Sequence, residues 1–192
     1  MHHKALEFVP MRVSTRLLIC LALLAPLRAT TLEQLTLDEM IRKSTAIVRA
    51  RITGSHSAAR GGSIYTYFQL QVLENWKGLA GTSAATEVAV PGGVAGGIHQ
   101  SVAGAPELKI GREYILFLWT SRSGLTQLMG LAQGLFSVSE EGSGGGEVRL
   151  AQRPPASELM LDRSGNPVED RSLSIPIRDL RARVLQTVRA AK

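Results

Sequence analysis

Residues 64–76 alternate between two faces along their whole length, and no other pattern restricts the fold of this chain as strongly. One face holds most of the apolar side chains and consists of Ile64, Thr66, Phe68, Leu70, Val72, Glu74 and Trp76. The opposite face carries mainly tyrosine, glutamine and asparagine. Alternation with a period of two, rich in aromatic and β-branched residues, is typical of a long antiparallel strand that buries one face. We therefore expect a mainly β protein.

Shorter segments of the same kind lie on both sides of this strand. We predict further strands at residues 46–52, 87–90, 114–119, 125–131, 134–138 and 147–150. Residues 114–119 are apolar on both faces, which is typical of a central strand covered on both sides. The polar turn that follows favours a hairpin between 114–119 and 125–131. Two stretches rich in glycine and serine, 55–63 and 141–146, are predicted to be flexible loops.

Two helices are predicted, one on each side of the strands. The first spans residues 37–43, because Thr36 and Glu39 have the spacing of a capping box. The second follows Pro176, and its apolar residues recur at helical spacing: Ile177, Leu180, Val184, Leu185 and Val188. Its other face is basic: Arg178, Arg181, Arg183 and Arg189. We expect the apolar stripe to pack on the β domain, with contact to an anionic membrane or partner as the alternative.

The first 29 residues have the layout of a bacterial-type secretory signal. Two arginines precede an apolar run at 17–24, and Ala29 supplies the small residue expected at a cleavage site. The run is much shorter than the roughly 20 apolar residues that a membrane-spanning helix needs. We therefore expect export to the periplasm or the extracellular space, with no transmembrane segment after cleavage; a membrane anchor is the alternative. Met1 and Met11 are both candidate start residues.

Cleavage changes both the cysteine content and the charge of the expected product. Cys20 is the only cysteine and lies within the apolar run, so the exported chain has to fold without disulfides. Removal of residues 1–29 takes away four cations and one carboxylate, which lowers the net charge from +6 to +3. A charge of this size does not favour a nucleic-acid partner.

A glycine-rich loop at 91–106 precedes the predicted central strand. Glycine allows positive φ angles and a close approach of other groups to the backbone. The candidate ligand-binding residues in this loop are Gly92, Gly93, Gly96, Gly97, His99 and Gln100. A phosphate-binding P-loop is excluded, because no lysine follows the last of these glycines and no helical pattern begins there. The loop is either a structural connection at the rim of the domain or an edge that binds a partner.

Three segments carry a resemblance to a known family: AIVRARI at 46–52, YFQLQVLENWKG at 67–78 and GREYILF at 111–117. In this order they resemble the netrin-like modules, which include the tissue inhibitors of metalloproteinases. The resemblance implies a Greek-key barrel of the OB type over about residues 46–138. The loop and the strand after it also resemble an uncharacterised family of secreted bacterial proteins. The inhibitor mechanism is not implied, because the expected mature terminus, residues 30–32, has no cysteine.

Pattern and resemblance together predict the architecture. We expect a mainly β chain with a five-to-seven-stranded OB-like Greek-key barrel, a short N-terminal helix and a C-terminal amphipathic helix. The predicted organisation is a signal peptide at 1–29 and a barrel domain at 30–150. Residues 151–192 are expected to form an irregular, proline-rich wrap and a helix packed on the barrel, and not a second domain.

No motif for a metal, a cofactor or a catalytic group is present in the sequence. His56 and His99 lie on separate predicted loops and lack the spacing of metal ligands. Residues 162–166 match the first ligand positions of a calcium loop, but Pro167 replaces its glycine, so we expect a polar turn. We therefore predict no catalytic residue, no metal and no cofactor.

These observations favour a secreted, non-enzymatic binding module of unknown ligand that makes its contacts through the 91–106 loop, with another exported protein as the candidate partner. The alternative is an exported hydrolase, or an accessory protein of one, that uses His99, Ser101 and nearby carboxylates. The candidate carboxylates are Glu74, Glu107 and Glu113. The sequence has no Gly-x-Ser-x-Gly nucleophile motif, which favours the binding module.

Overall fold

The computed structural model describes residues 31–78, 86–142 and 147–191, with the backbone alone at 141, 142 and 147. The expected secretory signal with its Cys20, and most of the predicted loop at 141–146, lie outside the described residues. In the described ranges, no helix has the length and apolar character that crossing a membrane requires.

The described chain folds mainly into strands, as predicted, with one helix near each end. The strands are β1 (Thr31–Glu33), β2 (Ala46–Arg60), β3 (Ser63–Lys77), β4 (Glu87–Pro91), β5 (Gly93–Ala95), β6 (Ile98–Gln100), β7 (Glu113–Thr120), β8 (Thr126–Leu128), β9 (Leu135–Gly142), β10 (Glu147–Arg153), β11 (Leu159–Leu161), β12 (Pro167–Val168) and β13 (Leu173–Pro176). The helices are α1 (Leu37–Lys43) and α2 (Ile177–Ala190).

An eight-stranded sheet contains most of these strands, in the order β13-β10-β9-β7-β2-β3-β4-β8. Neighbouring strands are antiparallel except β4 and β8, which are parallel at the pair Ala89 and Gln127. β8 also forms the predicted hairpin with β7. Because β7 lies between β2 and β9, the prediction of a central strand at 114–119 is confirmed. β1, β11 and β12 form a three-stranded sheet, and β5 and β6 form a two-stranded one.

Each face of the large sheet carries a buried cluster. Ile115 and Phe117 of β7 pack against α1 and α2 in one group, which we call the helix-side cluster. Their neighbours Tyr114, Leu116 and Leu118 point to the other face and pack in the loop-side cluster. The buried members of the loop-side cluster are Ala46, Val48, Ala50, Ile52, Leu70, Val88, Val90, Leu108, Tyr114, Leu116, Leu118 and Leu128. The core therefore has two layers, with β7 in contact with both.

The single buried face predicted for residues 64–76 is wrong beyond Leu73. The register of β3 with β2 shifts there, since Glu74 pairs with Arg49 but Val72 pairs with Ala50. An extra residue in one strand turns the following side chains to the opposite face. Val72 therefore packs against the loop-side cluster while Trp76, four residues later, is buried in the helix-side cluster.

Both helices form as predicted, and their side chains explain why. In α1, Thr36 Oγ1 accepts a hydrogen bond from Glu39 N at 3.3 Å, and Glu39 Oε2 accepts one from Thr36 N at 2.9 Å, which completes the capping box. In α2, Leu180 and Val184 are buried in the helix-side cluster. The basic face of α2 is partly paired within the protein, because Arg183 donates to both carboxylate oxygens of Asp38. The packing of the apolar stripe is confirmed.

Two predicted loop regions contain more strand than the sequence suggested. Residues 55–60 continue β2, which pairs with β3 through a turn at Gly61 and Gly62. These two glycines have φ angles of 59° and 81°, as two-residue hairpin turns require. The arm is largely exposed, so no alternation of apolar residues marks it as a strand. Residues 151–176 likewise hold the end of β10 and the short strands β11 to β13.

Candidate functional site

The glycine-rich segment that follows β4 is a small β-hairpin. β5 and β6 pair antiparallel, with Val94 opposite His99 and Ala95 opposite Ile98. The turn residues Gly96 and Gly97 have φ angles of 57° and 76°. Two consecutive positive φ angles are typical of the tightest hairpin turns, and glycine adopts them without a steric penalty. The predicted loop is therefore an ordered hairpin, which we call the glycine hairpin (residues 92–100).

The base of the glycine hairpin is fixed to the paired arms of β2 and β3. Gly92 N donates to Ile64 O at 2.8 Å, and Ile64 N donates to Gln100 Oε1 at 2.7 Å. Thr66 Oγ1 donates to Gly92 O at 2.9 Å. A Cβ atom on Gly93 would lie 2.5 Å from Thr66 Oγ1, so only glycine allows this approach. Gly92, Gly93 and Gln100 thus have a structural role in anchoring the hairpin.

The tip of the glycine hairpin is largely exposed in the described part of the chain. Val94 is 60 % exposed and Ile98 is 65 % exposed. The two residues belong to opposite faces of the two-stranded ribbon, because Ile98 is adjacent in sequence to His99, the cross-strand partner of Val94. No described atom lies within 4 Å of where a Cβ on Gly96 or Gly97 would be. Both faces of the tip are therefore open to a partner.

His99 and Ser101 are separated by one residue at the end of the glycine hairpin. Both residues are exposed. Among residues 31–78, 86–142 and 147–191, neither side chain has a hydrogen-bond or ion-pair partner. A serine nucleophile needs a base within hydrogen-bond reach and a third group to orient that base. The described residues provide no such set around His99.

Two of the three candidate carboxylates belong to ion pairs on the sheet, away from the glycine hairpin. Glu74 lies 2.9 Å from Arg49 Nη1 and accepts a hydrogen bond from Trp76 Nε1 at 2.9 Å. Glu113 accepts hydrogen bonds from Arg51 Nη2 and Arg149 Nη2, each at 2.7 Å. These contacts connect β2, β3, β7 and β10. The third carboxylate, Glu107, is exposed.

The environment of Glu113 changes its acidity. Burial raises the pKa of this carboxyl, but the hydrogen bonds and charges of Arg149, Arg51 and Arg49 outweigh burial and bring the pKa below its usual value of 4.5. A lowered pKa means that the ionised carboxylate is more stable in the folded protein than in the unfolded chain. Glu113 therefore stabilises the fold above about pH 4.5, and this contribution is lost as the pH falls through the folded-state pKa.

Replacing Glu113 with glutamine tests this pH dependence. We expect E113Q to lower the free energy of unfolding by about 2 kcal/mol at pH 7, because two charge-assisted hydrogen bonds are weakened. Urea unfolding at pH 7 and at pH 3.5 measures the difference, which should shrink at the lower pH. E140Q is the control, since Glu140 contacts Arg149 at 3.4 Å but is 56 % exposed, and we expect almost no change. A loss that is equal at both pH values contradicts the assignment.

The described residues contain no group of three side chains suited to hold a metal. His56 stacks on Tyr67, with ring centroids 5.1 Å apart. Asp162 Oδ1 accepts hydrogen bonds from the backbone N–H groups of Ser164 and Asn166, both at 2.8 Å. The polar turn predicted at 162–166 is confirmed, because these bonds occupy the carboxylate that a calcium loop uses as a ligand.

A cavity of about 650 Å³ lies where the chain runs from the glycine hairpin into β7. It is lined by parts of 104–114, by β9 and by the end of β10 with the prolines that follow. The sequence analysis did not identify this cavity, because its walls come from segments far apart in the chain. The four consecutive residues from Arg153 to Ala156, two of them prolines, were the only local sign of a rigid, irregular wall there.

No protein-family model, curated protein or solved structure matches this chain.

Proposed function

We propose that this protein is an exported, non-enzymatic binding module that contacts another exported protein through the glycine hairpin. One observation carries the proposal: the hairpin exposes Val94 and Ile98 at its tip while its base is fixed to β2 and β3. Burying apolar side chains of this size in a partner is favourable by roughly 1.5 to 3 kcal/mol each. The partner is thus a protein with an apolar recess wide enough for a two-stranded ribbon.

The anchored base supports this proposal as well. A loop that is ordered before binding loses less conformational entropy when it is immobilised in a complex. Two hydrogen bonds of the Ile64 backbone provide that order, one from Gly92 N to Ile64 O and one from Ile64 N to the side-chain Oε1 of Gln100. The candidate residues then divide by role. Gly92, Gly93 and Gln100 hold the base, Gly96 and Gly97 form the turn, and His99 contributes a polar contact beside Val94.

The proposed fold is an OB-like Greek-key barrel formed by β7, β2, β3, β4 and β8. In support, each of these five strands pairs with two others of the set. The buried residues of the loop-side cluster come from these strands and from Leu108, as the interior of a small barrel requires. This is also the architecture that the resemblance to netrin-like modules implies. The hairpin then lies at one end of the barrel, where such folds carry their binding loops.

Export is part of the proposal and is supported by the sequence of residues 1–29. The basic start, the short apolar run and the small residue at Ala29 are the features that secretion signals share. Expression of the full chain in a bacterial host, followed by cell fractionation and N-terminal sequencing, tests it. A product that begins near Thr30 in the periplasm or medium is expected, and an intact chain in the cytoplasm overturns export.

The binding proposal is tested by replacing both apolar residues at the tip. We expect V94S/I98S to reduce retention of the partner at least tenfold, because about 3 kcal/mol or more of apolar burial is removed. Affinity enrichment from periplasmic and extracellular fractions, quantified by mass spectrometry, compares this variant with the unchanged chain. I110S is the matched control, since Ile110 is 61 % exposed but lies outside the hairpin. Equal recovery of every protein with V94S/I98S and the unchanged chain overturns the proposal.

A further inference from the structure

We propose that the cavity of about 650 Å³ between the 104–114 segment, β9 and the end of β10 is a second binding site, which takes a short peptide with a free carboxylate, a free amino group and an apolar side chain. This proposal goes beyond the function of the hairpin, because the cavity lies between other elements. A volume of this size is within the range of about 300 to 1,000 Å³ that small-ligand sites occupy. It accommodates a peptide of two or three residues.

The walls of the cavity are rigid and partly apolar. Pro106 lies on one side, Pro154 and Pro155 lie on another, and Leu135 contributes from β9. Proline has a fixed φ angle and no backbone N–H, so these positions present hydrocarbon without an unpaired donor. Such walls suit an apolar side chain better than a sugar or a phosphate group, which require dense hydrogen bonding.

Arg153 forms another part of the lining and is held in place by an ion pair with Asp170, which lies outside the lining. Arg153 is 8 % exposed and donates to both carboxylate oxygens of Asp170, at 2.7 and 2.9 Å. Asp170 Oδ2 also accepts from Ala156 N at 2.8 Å, which fixes the segment that carries the two prolines. Because Asp170 neutralises Arg153, this pair shapes the wall and adds little net charge to the cavity.

Tyr114 offers a buried hydrogen-bond donor at the cavity. The residue is 6 % exposed, and its Oη atom accepts a hydrogen bond from Lys109 N at 3.0 Å. Tyr114 and Lys109 both line the cavity. The hydroxyl proton has no acceptor among the described residues. A buried donor without an acceptor is energetically unfavourable, so an oxygen atom of a ligand would satisfy it.

The charges that line the mouth determine the class of ligand. Lys109 and Arg112 have no ion-pair or side-chain hydrogen-bond partner among the described residues, and neither has Glu107. Glu158 has no ion-pair partner among the described residues either, but its Oε1 accepts a hydrogen bond from Ser157 Oγ and its carboxylate lies beside the backbone of Gly104. The lining thus holds two cations and two carboxylates without an ion pair in the described ranges, and Glu107 is the carboxylate that also lacks a hydrogen bond there. These charges suit a carboxylate on the ligand, held beside Tyr114, and an ammonium group near Glu107.

The experiment uses the dipeptide Ala-Leu as the probe, with the ¹⁵N-labelled chain observed by two-dimensional NMR. We expect saturable shifts of amide signals within 104–112 and 152–158, where the cavity is lined. Ala-Leu amide, which lacks the carboxylate, is expected to bind at least tenfold more weakly, and N-acetyl-Ala-Leu several-fold more weakly. Absence of saturable shifts up to 10 mM peptide, or equal binding of Ala-Leu and its amide, overturns the proposal.

Variants of the protein locate the site. K109A/R112A is expected to weaken Ala-Leu binding at least tenfold, and Y114F is expected to weaken it several-fold while retaining the ring that packs in the core. R122A/R189A removes two exposed arginines outside the cavity and should bind as the unchanged chain does. Unaltered affinity of K109A/R112A shows that these two cations do not bind the peptide and overturns the site. An equal loss of affinity in R122A/R189A shows nonspecific attraction to the positive charge of the protein and overturns the site as well. Retention of the hairpin partner by K109A/R112A is expected, so the outcome is independent of the function proposed for the hairpin.

Discussion

Replacing Gly78 with alanine should lower the free energy of unfolding by about 3 to 5 kcal/mol, a large fraction of the roughly 5 to 15 kcal/mol that stabilises a domain. Gly78 follows β3 with a φ angle of 90°. A Cβ atom there would lie 1.9 Å from Thr45 O and 3.0 Å from Ala46 Cα, where β2 begins. These are backbone atoms, so no side-chain rotation relieves the overlap. Urea unfolding of G78A against the unchanged chain measures the loss.

Gly111 provides the control for the angle alone. Its φ angle is 84°, close to that of Gly78, but no described atom lies within 4 Å of a Cβ on this residue. We expect G111A to lose only about 1 to 2 kcal/mol, which is the usual penalty for a side chain in this conformation. The loss of unfolding free energy in G78A beyond that in G111A then measures the cost of the steric overlap with the backbone of Thr45 and Ala46. Equal losses in G78A and G111A contradict the close approach of β3 and β2 at this point.

Removing the carboxylate of Asp170 is the second change with a large expected effect. D170A leaves the guanidinium of Arg153, which is 8 % exposed, without its counter-ion. Breaking a buried ion pair on one side is expected to lower the free energy of unfolding by about 3 to 5 kcal/mol. The double variant R153M/D170A should recover much of this loss, because no buried charge remains. Thermal or urea unfolding of the two variants measures both free energies of unfolding. A small loss in D170A, or no recovery in R153M/D170A, contradicts a buried ion pair.

The Asp170 effect also has a defined pH dependence. Burial raises the pKa of this carboxyl, but hydrogen bonds from Arg153 and from the backbone of Ala156 outweigh it, so the pKa is below its usual value of 3.8. The stabilisation is therefore complete above about pH 3.8 and is lost as the pH falls through the folded-state pKa. The difference between D170A and the unchanged chain should narrow below that pH. As a control, D179A removes an exposed pair with Arg178 and should cost less than 1 kcal/mol.

The two proposed sites share one stretch of chain but use different chemistry. The glycine hairpin exposes Val94 and Ile98, whereas the cavity combines proline walls with charged side chains that have no ion-pair partner among the described residues. Tyr114, at the start of the central strand β7, contributes to the loop-side cluster and also lines the cavity. The core of the sheet thus positions the peptide site directly, and the arms of β2 and β3 position the hairpin.

Elements with a strong local pattern were predictable from the sequence. The capping box at Thr36 and Glu39 defines α1 because its hydrogen bonds span only three residues. The apolar stripe of α2 was predicted from apolar residues at helical spacing. The strand at 114–119 was predicted because residues on both of its faces are apolar. The glycine pattern at 91–106 correctly indicated tight backbone geometry, although not the hairpin that it forms.

Contacts between distant segments decided the rest. After Leu73 the side chains of β3 switch to the opposite face of the sheet, because the register between β3 and β2 shifts there. The alternation of residues along β3 does not reveal this shift. The roles of Gly93 and Gln100 became visible only once the hairpin was placed against Thr66 and Ile64. The cavity needs the 104–114 segment, β9 and the prolines after β10 to meet. Local patterns thus established the mainly β character, both helices and the glycine-rich segment at 91–106 as the candidate contact region, because periodicity and capping act over a few residues. Tertiary packing established the hairpin's exposed tip and the cavity, because burial and unpaired charge depend on which remote residues come together.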